Sequence, residues 1–146
     1  MEKDNVVVNG AGFTLQGDGN GRGIDLYDGS TGITVRNVQI MNFHFGIHLS
    51  NASYTTIDST YIVNNFEGIH LNGGFNNTIV GNTIANNSDN GIGVFFNTRC
   101  NLISGNQITN NWVGVLFHLY SASNTLSENF ITANNVMGIW LDGGSN

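Results

Sequence analysis

The dipeptide Gly-Ile or Gly-Val recurs along the whole chain, as Gly23-Ile24, Gly46-Ile47, Gly68-Ile69, Gly91-Ile92, Gly114-Val115 and Gly138-Ile139, at spacings of 23, 22, 23, 23 and 24 residues. Two further apolar columns keep the same register. One runs Val35, Ile57, Ile79, Ile103 and Leu126; the other, always five residues later, runs Ile40, Ile62, Ile84, Ile108 and Ile131. A fixed period of this length in three independent columns marks stacked supersecondary units, each burying its apolar side against its neighbours.

Each repeat holds three short apolar pieces that alternate with period two, as in Asn77-Thr78-Ile79-Val80, Thr83-Ile84-Ala85 and Gly91-Ile92-Gly93-Val94. None is long enough for a helix. Gly81-Asn82 and Gly105-Asn106 mark a tight bend between the first two pieces, because Gly and Asn tolerate the left-handed backbone of a sharp corner. An Asn pair follows the second piece: Asn64-Asn65, Asn86-Asn87, Asn110-Asn111 and Asn134-Asn135. Three strands and three corners in 22 to 24 residues describe one coil of a parallel β-helix, and the 146 residues give about six coils. At the strand spacing of about 4.8 Å the rod is about 30 Å long.

Composition agrees with an all-β solenoid. Twenty Gly and some 25 Asn disfavour helices. Stacked Asn side chains can satisfy buried turn amides by donating to one rung and accepting from the next. Proline would remove a ladder donor in every rung, and the chain has none. A net charge of −6, with four Lys plus Arg, leaves no cationic footprint for nucleic acid. Cys100 has no partner for an internal disulfide. No apolar run follows the charges near Met1, so a signal peptide is absent from this chain, and no stretch approaches the length of a membrane span.

The repeated Asn-x-Ile, Asn-Asn, Gly-Ile-x-Leu and Asn-Thr-Ile pattern, from about Val6 to Asp142, resembles the right-handed parallel β-helix repeats of the pectin-lyase-like superfamily. It is closest to NosD-like repeats, also called carbohydrate-binding and sugar-hydrolase domains, of surface and periplasmic proteins. The resemblance implies a right-handed coil and an extracellular, cell-surface or periplasmic location. It spans many activities, among them pectate lyases, polygalacturonases, alginate epimerases, surface-layer proteins and a copper-delivery accessory factor. The chain reads as one repeat domain over residues 1–146, a fragment of a longer array or protein that stops at Gly143-Gly144-Ser145-Asn146 without a cap. Uncovered end rungs would pair with further coils or with another copy.

In the superfamily the strand matching Gly-Ile-x-Leu carries the substrate groove on its outer face. Its outward positions here are Asp25, His48, His70, Gly93, Leu116 and Trp140, and then Tyr27, Ser50, Asn72, Phe95, His118 and Asp142. Two residues upstream of each Gly stand His44, Phe66, Asp89, Trp112 and Val136. All four His and both Trp therefore fall on one side of the rod, and the other two sheets present mostly small or neutral residues.

Asp25, His48 and His70 occupy successive rungs. They can act in general acid-base chemistry, with the Asp holding the imidazole, or ligate a transition metal such as Zn²⁺ or Cu²⁺; stacked polar residues can also simply coat a solvated face. Tyr27, Phe66, Phe95, Trp112 and Trp140 suit sugar rings, with Asn72, His118 and Asp142 bonding hydroxyls. The same aromatics can instead pack under loops.

Enzyme signatures that the resemblance would bring are missing. The Asn-Thr-Asp, Asp-Asp, Gly-His-Asp and Arg-Ile-Lys motifs of polygalacturonases do not occur, nor does the Asp-Pro-His-Asp motif of alginate epimerases. Pectate lyases need Ca²⁺ and a basic residue, whereas Arg22, Arg36 and Arg99 fall outside the outward positions and Lys3 is terminal. The loop Gly17-Asp18-Gly19-Asn20-Gly21-Arg22-Gly23 opens like a calcium loop but puts Arg22 and Gly29 where ligands belong. Loops beside the Gly-Ile strand are short and cannot wall a deep cleft.

The expectation is an exported carbohydrate-interacting or surface-structural module, contacting a polysaccharide or cell-surface glycan. The alternatives are a lyase, epimerase or hydrolase acting on an acidic polysaccharide, and copper-accessory-type metal binding through His48 and His70.

Overall fold

The computed structural model describes residues 4–27 and 29–143, all strand, turn and bend. Lys3 and the closing Gly144-Ser145-Asn146 lie outside the described residues. The first coil holds β1 (Val7–Asn9), β2 (Thr14–Gln16) and β3 (Arg22–Tyr27), and the second β4 (Thr34–Arg36), β5 (Gln39–Met41) and β6 (Phe45–Ser50). The third holds β7 (Thr56–Asp58), β8 (Tyr61–Val63) and β9 (Glu67–Asn72), and the fourth β10 (Thr78–Val80), β11 (Thr83–Ala85) and β12 (Asn90–Phe95). The fifth holds β13 (Leu102–Ser104), β14 (Gln107–Thr109) and β15 (Val113–His118), and the sixth β16 (Thr125–Ser127), β17 (Phe130–Thr132) and β18 (Met137–Asp142).

Strands one coil apart pair in parallel and build three sheets: β1-β4-β7-β10-β13-β16, β2-β5-β8-β11-β14-β17, and the long-strand sheet β3-β6-β9-β12-β15-β18. The columns legible in the sequence are the pairing register. Val35, Ile57, Ile79, Ile103 and Leu126 are direct partners, as are Ile24, Ile47, Ile69, Ile92, Val115 and Ile139. Twelve of the Ile and Leu side chains so stacked, from Ile40 to Ile108, are fully buried. Each contributes about 1.5–3 kcal/mol of apolar burial. In the terminal coils Val7, Leu15, Ile139 and Leu141 stay exposed.

Each corner carries its own asparagine ladder. Asn82, Asn106 and Asn129 line the bend between the first and second strands, and Asn77, Asn101 and Asn124 the bend before the first. Asn65, Asn87, Asn111 and Asn134 line the bend before the long strand. Asn87 shows the pattern. Its Oδ1 accepts from Asn65 N at 3.0 Å, its Nδ2 donates to Asn111 Oδ1 at 2.9 Å and to Ile62 O at 3.3 Å, and its own N–H donates to Asn111 Oδ1 at 3.0 Å.

The residue before each ladder member takes the left-handed turn, with φ of 57° at Asn64, 56° at Asn86 and 56° at Asn110. In the last coil this position is Ala133, φ 54°, and Asn134 is the ladder member. The pair Asn134-Asn135 is thus offset by one from the other Asn pairs, because the register of Ile108 with Ile131 decides which Asn reaches the ladder.

The repeated Gly has a packing reason. A Cβ on Gly46 would lie 2.6 Å from the Gly68 carbonyl oxygen and 2.7 Å from Ile62 Cγ2, and one on Gly68 2.4 Å from the Gly91 carbonyl. Gly therefore faces inward, as does the Ile that follows it. Two consecutive inward residues break the period-two alternation, and in the first three coils the residue before the Gly turns outward. Arg22, Phe45 and Glu67 join the outer face for this reason.

Asn106→Ala removes donors to Asn129 Oδ1, Ile79 O and Ser104 O and an acceptor for Asn82 N, all at a buried corner. The expected cost is about 2–4 kcal/mol, read as a lower urea midpoint with unchanged slope. Asn20→Ala, on an exposed turn, changes stability by less than about 0.5 kcal/mol.

Candidate functional site

The outer face of the long-strand sheet gathers the ionisable side chains into three carboxylate–imidazole pairs. On β3 and β6, adjacent by register, Asp25 Oδ1 lies 2.7 Å from His48 Nδ1. Asp25 Oδ2 accepts from Arg22 Nη1 at 2.9 Å. Within β9, Glu67 Oε2 lies 3.0 Å from His70 Nδ1. Across β15 and β18, Asp142 Oδ2 lies 2.7 Å from His118 Nδ1. In every pair the imidazole is held by Nδ1, which leaves Nε2 for a ligand.

The sequence expectation for this cluster is corrected at Arg22. Arg22 belongs to the outer face and bonds Asp25, because the inward Gly23 turns its neighbour outward. Asp25, His48 and His70 stand in one row, with Asp25 on His48 and His48 stacked on His70, but His70 takes an acid partner of its own, Glu67. Among the described residues no group of three or more His, Cys, Asp and Glu is arranged to hold a metal ion. The transition-metal reading of Asp25, His48 and His70 gains no support.

Aromatic rings interleave with the imidazoles. His48 and His70 stack with ring centroids 5.3 Å apart, and Phe45 lies 5.4 Å from His48 and 4.6 Å from His70. Phe95 stacks on His70 at 4.5 Å and meets His118 edge-on at 5.9 Å. At the neighbouring corner His44 and Phe66 stack at 4.6 Å with rings 6° from parallel. Trp112 and Trp140 lie with centroids 6.4 Å apart and planes tilted by 56° toward the far end. Of the expected sugar-contact residues, Phe95, His118 and Asp142 join this row. Asn72 sits beside Ser50 and Phe95 in it. Trp112 and Trp140 form a separate pair, Phe66 belongs to the corner, and Tyr27 stands largely exposed at the first rung.

Phe45 and Arg22 are the residues that strict alternation misses, and Glu67, which flanks this face in the sequence with Asp89, pairs with His70 instead of with a second acid. The spacing of three between Arg22 and Asp25, and between Glu67 and His70, was the available signal: opposite charges or an acid and a His on one strand, across the Gly-Ile step.

The two central pairs differ in electrostatics. Burial works against the charge of Asp25, but the hydrogen bonds from His48 and Arg22 outweigh it and hold its pKa below the ordinary value. Burial pushes His48 below the ordinary imidazole value, against the pull of the Asp25 hydrogen bond. Glu67 is 3% exposed, and burial raises its pKa despite the hydrogen bond with His70. Burial also raises Asp89, against the attraction of His44 and His70. Glu67 Oε1 and Asn90 Oδ1 are buried without a hydrogen-bond partner. The Glu67 carboxyl fits under Phe95 because position 93 is Gly: a Cβ there would lie 2.0 Å from Oε1 and 2.4 Å from Phe95 Cε2.

A groove of about 500 Å³ opens beside the first pair, lined by Gly21, Arg22, Asp25, His44 and Phe45. A larger depression of about 710 Å³ lies at the corner near Asn9, Asn37 and Tyr61. No carboxylate or imidazole lines it, whereas Asp25 and His44 line the smaller groove.

Because Glu67 has a raised folded pKa, both states are protonated below the ordinary carboxyl range and only the unfolded chain ionises just above it. Its contribution to stability is present at low pH and is lost as pH rises through the folded value. Glu67→Gln removes that loss. The melting temperature of Glu67→Gln relative to the parent is therefore higher at pH 7 than at pH 4, measured by circular dichroism; the reverse order contradicts the burial argument.

Comparison with known proteins agrees with this geometry at the level of fold. No curated protein sequence matches the chain. Among solved structures it is similar to crystal structures of the periplasmic alginate epimerase AlgG: a double-substitution variant (TM-score 0.88, 26% identity), a single-substitution variant (0.86, 25%) and the unsubstituted protein (0.85, 25%). Each alignment covers 97% of this chain and 34% of that one, so the chain spans about a third of the length of the structures it matches. The sequence profile described as the right-handed beta helix region matches residues 22–146. With its six stacked coils and that match, the chain belongs to the right-handed β-helix family.

Proposed function

We propose that the chain is an exported or periplasmic carbohydrate-interacting β-helix that takes an extended glycan across the outer face of its long-strand sheet. The observation that carries this reading is the row of outward side chains crossing the rungs, in which imidazoles with free Nε2 atoms stack with one another and with Phe45 and Phe95. Rings offer apolar faces to the C–H patches of sugars, and imidazole, amide and carboxylate groups bond the hydroxyls. Arg22 and His44 beside the 500 Å³ groove add cationic or ionisable donors for a sugar carboxylate. The similarity to a periplasmic alginate epimerase supports a polysaccharide ligand and an extracytoplasmic setting.

A second reading, proton transfer on an acidic polysaccharide, is favoured by the Arg22–Asp25–His48 chain. An ionised Asp25, fixed by Arg22, fixes the His48 proton on Nδ1 and leaves Nε2 as a base. Two features favour binding over this chemistry: the Asp-Pro-His-Asp motif is absent, and the face is shallow.

On a glycan array with alginate, pectate and neutral glycans, Phe45→Ala and His48→Ala are expected to weaken binding of the preferred glycan by about tenfold or more, as for central contact residues. Equal binding by parent and both variants removes the sugar-face reading. Ultraviolet-absorbing unsaturated product, or solvent deuterium appearing in the uronate ring, that disappears in His48→Gln promotes the catalytic reading.

A further inference from the structure

His48 and His70 look alike in the sequence, stack in the structure and are both held through Nδ1 by a carboxylate. Their carboxylates do not stand in the same charge environment. Asp25 is about a third exposed and has a guanidinium on its second oxygen at 2.9 Å. The Arg22–Asp25–His48 chain is neutral overall with Asp25 ionised and a single proton on the imidazole, at Nδ1.

Glu67 has no such cation. The groups facing it are His70, Asp89 and Asn90, with His44 beyond Asp89 and the uncharged Phe95 and Gly93 closing over it. Arg22, the cation of this face, is engaged two rungs away. Glu67 Oε1 is buried without a hydrogen bond of good geometry, and the amide of Asn90 beside it offsets only a small part of the burial. An ionised carboxylate sealed in this way, with a second acid nearby, carries an uncompensated charge in a low-dielectric site, and such groups neutralise by taking up a proton.

We propose that the Glu67–His70 pair holds one proton more than the Asp25–His48 pair, so that His70 presents Nε2–H as a donor while His48 presents a bare Nε2 as an acceptor. The result does not depend on where the extra proton sits. With Glu67 neutral, its hydroxyl donates to His70 Nδ1 and the imidazole hydrogen lies on Nε2; with the proton passed to His70, both ring nitrogens carry hydrogen. Glu67 is then a positioning residue that sets the polarity of His70, as Asp25 sets the polarity of His48. The two stacked rings form a donor–acceptor pair of fixed order. Resting on the carbohydrate reading above, the pair selects a sugar edge with a hydroxyl toward His48 and a bare oxygen, ring, glycosidic or carboxylate, toward His70.

The test reads the protons directly and needs no ligand. In long-range ¹H–¹⁵N correlation spectra of the full chain with labelled histidine at pH 7, His48 Nε2 is expected to show the shift of an unprotonated ring nitrogen and His70 Nε2 that of a protonated one. A bare Nε2 on His70 overturns the proposal. Two carboxyl-to-amide variants should differ, one changing its histidine's tautomer and the other not. Asp25→Asn places an amide donor against His48 Nδ1, because Arg22 keeps the oxygen, and moves the His48 proton to Nε2. Glu67→Gln places the same donor against His70 Nδ1 and leaves His70 protonated on Nε2. A role confined to packing would move neither tautomer, and a His48 that keeps its bare Nε2 in Asp25→Asn also overturns the proposal. Should the parent bind no glycan, the carbohydrate reading falls while these spectra still decide the pair.

Discussion

The rest of the structure depends on the register lock between successive coils. Backbone pairing alone allows a parallel strand to slip by two residues at little cost in hydrogen bonds. The asparagine ladders remove that freedom, because each carboxamide must meet the one above while also reaching a buried carbonyl one coil back. Slippage in one sheet would break the ladder at both of its corners. The lock repeats at three corners, so the three sheets advance together and like side chains fall on like side chains. Isoleucine stacks on isoleucine inside, and on the outside imidazole falls on imidazole.

Stacking has a cost on the outer face. Side chains of one type stand at the strand spacing of about 4.8 Å, and charges in that arrangement repel. The long-strand sheet meets this by pairing each imidazole with an acid and inserting Phe rings between them. The first two pairs show two ways to neutralise a partly or fully dry carboxylate: Arg22 lies against Asp25, and nothing cationic lies against Glu67. The contrast arises from exposure. Asp25 lies near the open first rungs, where a long side chain can lie along the surface, whereas Glu67 is covered by Phe95 through the notch at Gly93.

The glycine of each coil links fold and site. In the first five coils the neighbouring glycine carbonyl and an isoleucine methyl leave no room for a Cβ on its inward side, and in the first three the residue before it turns outward. Arg22, Phe45 and Glu67 thereby reach His48 and His70. A single packing constraint in the core thus widens the outer face by one column.

The sequence by itself determined the coil number, the strand columns, the three corners and the side of the rod that carries every histidine and tryptophan. These follow from a period repeated often enough that local chemistry at each position speaks for all six coils. Which acid pairs with which histidine, the membership of Arg22 in the site, the offset of Asn134 and the dryness of Glu67 were decided only in the tertiary structure. The reason is physical: alternation predicts facing only while it is unbroken, and two inward residues in succession at Gly-Ile break it. Partner choice then depends on side chains from different coils and on how well each is covered, which no spacing along one strand records.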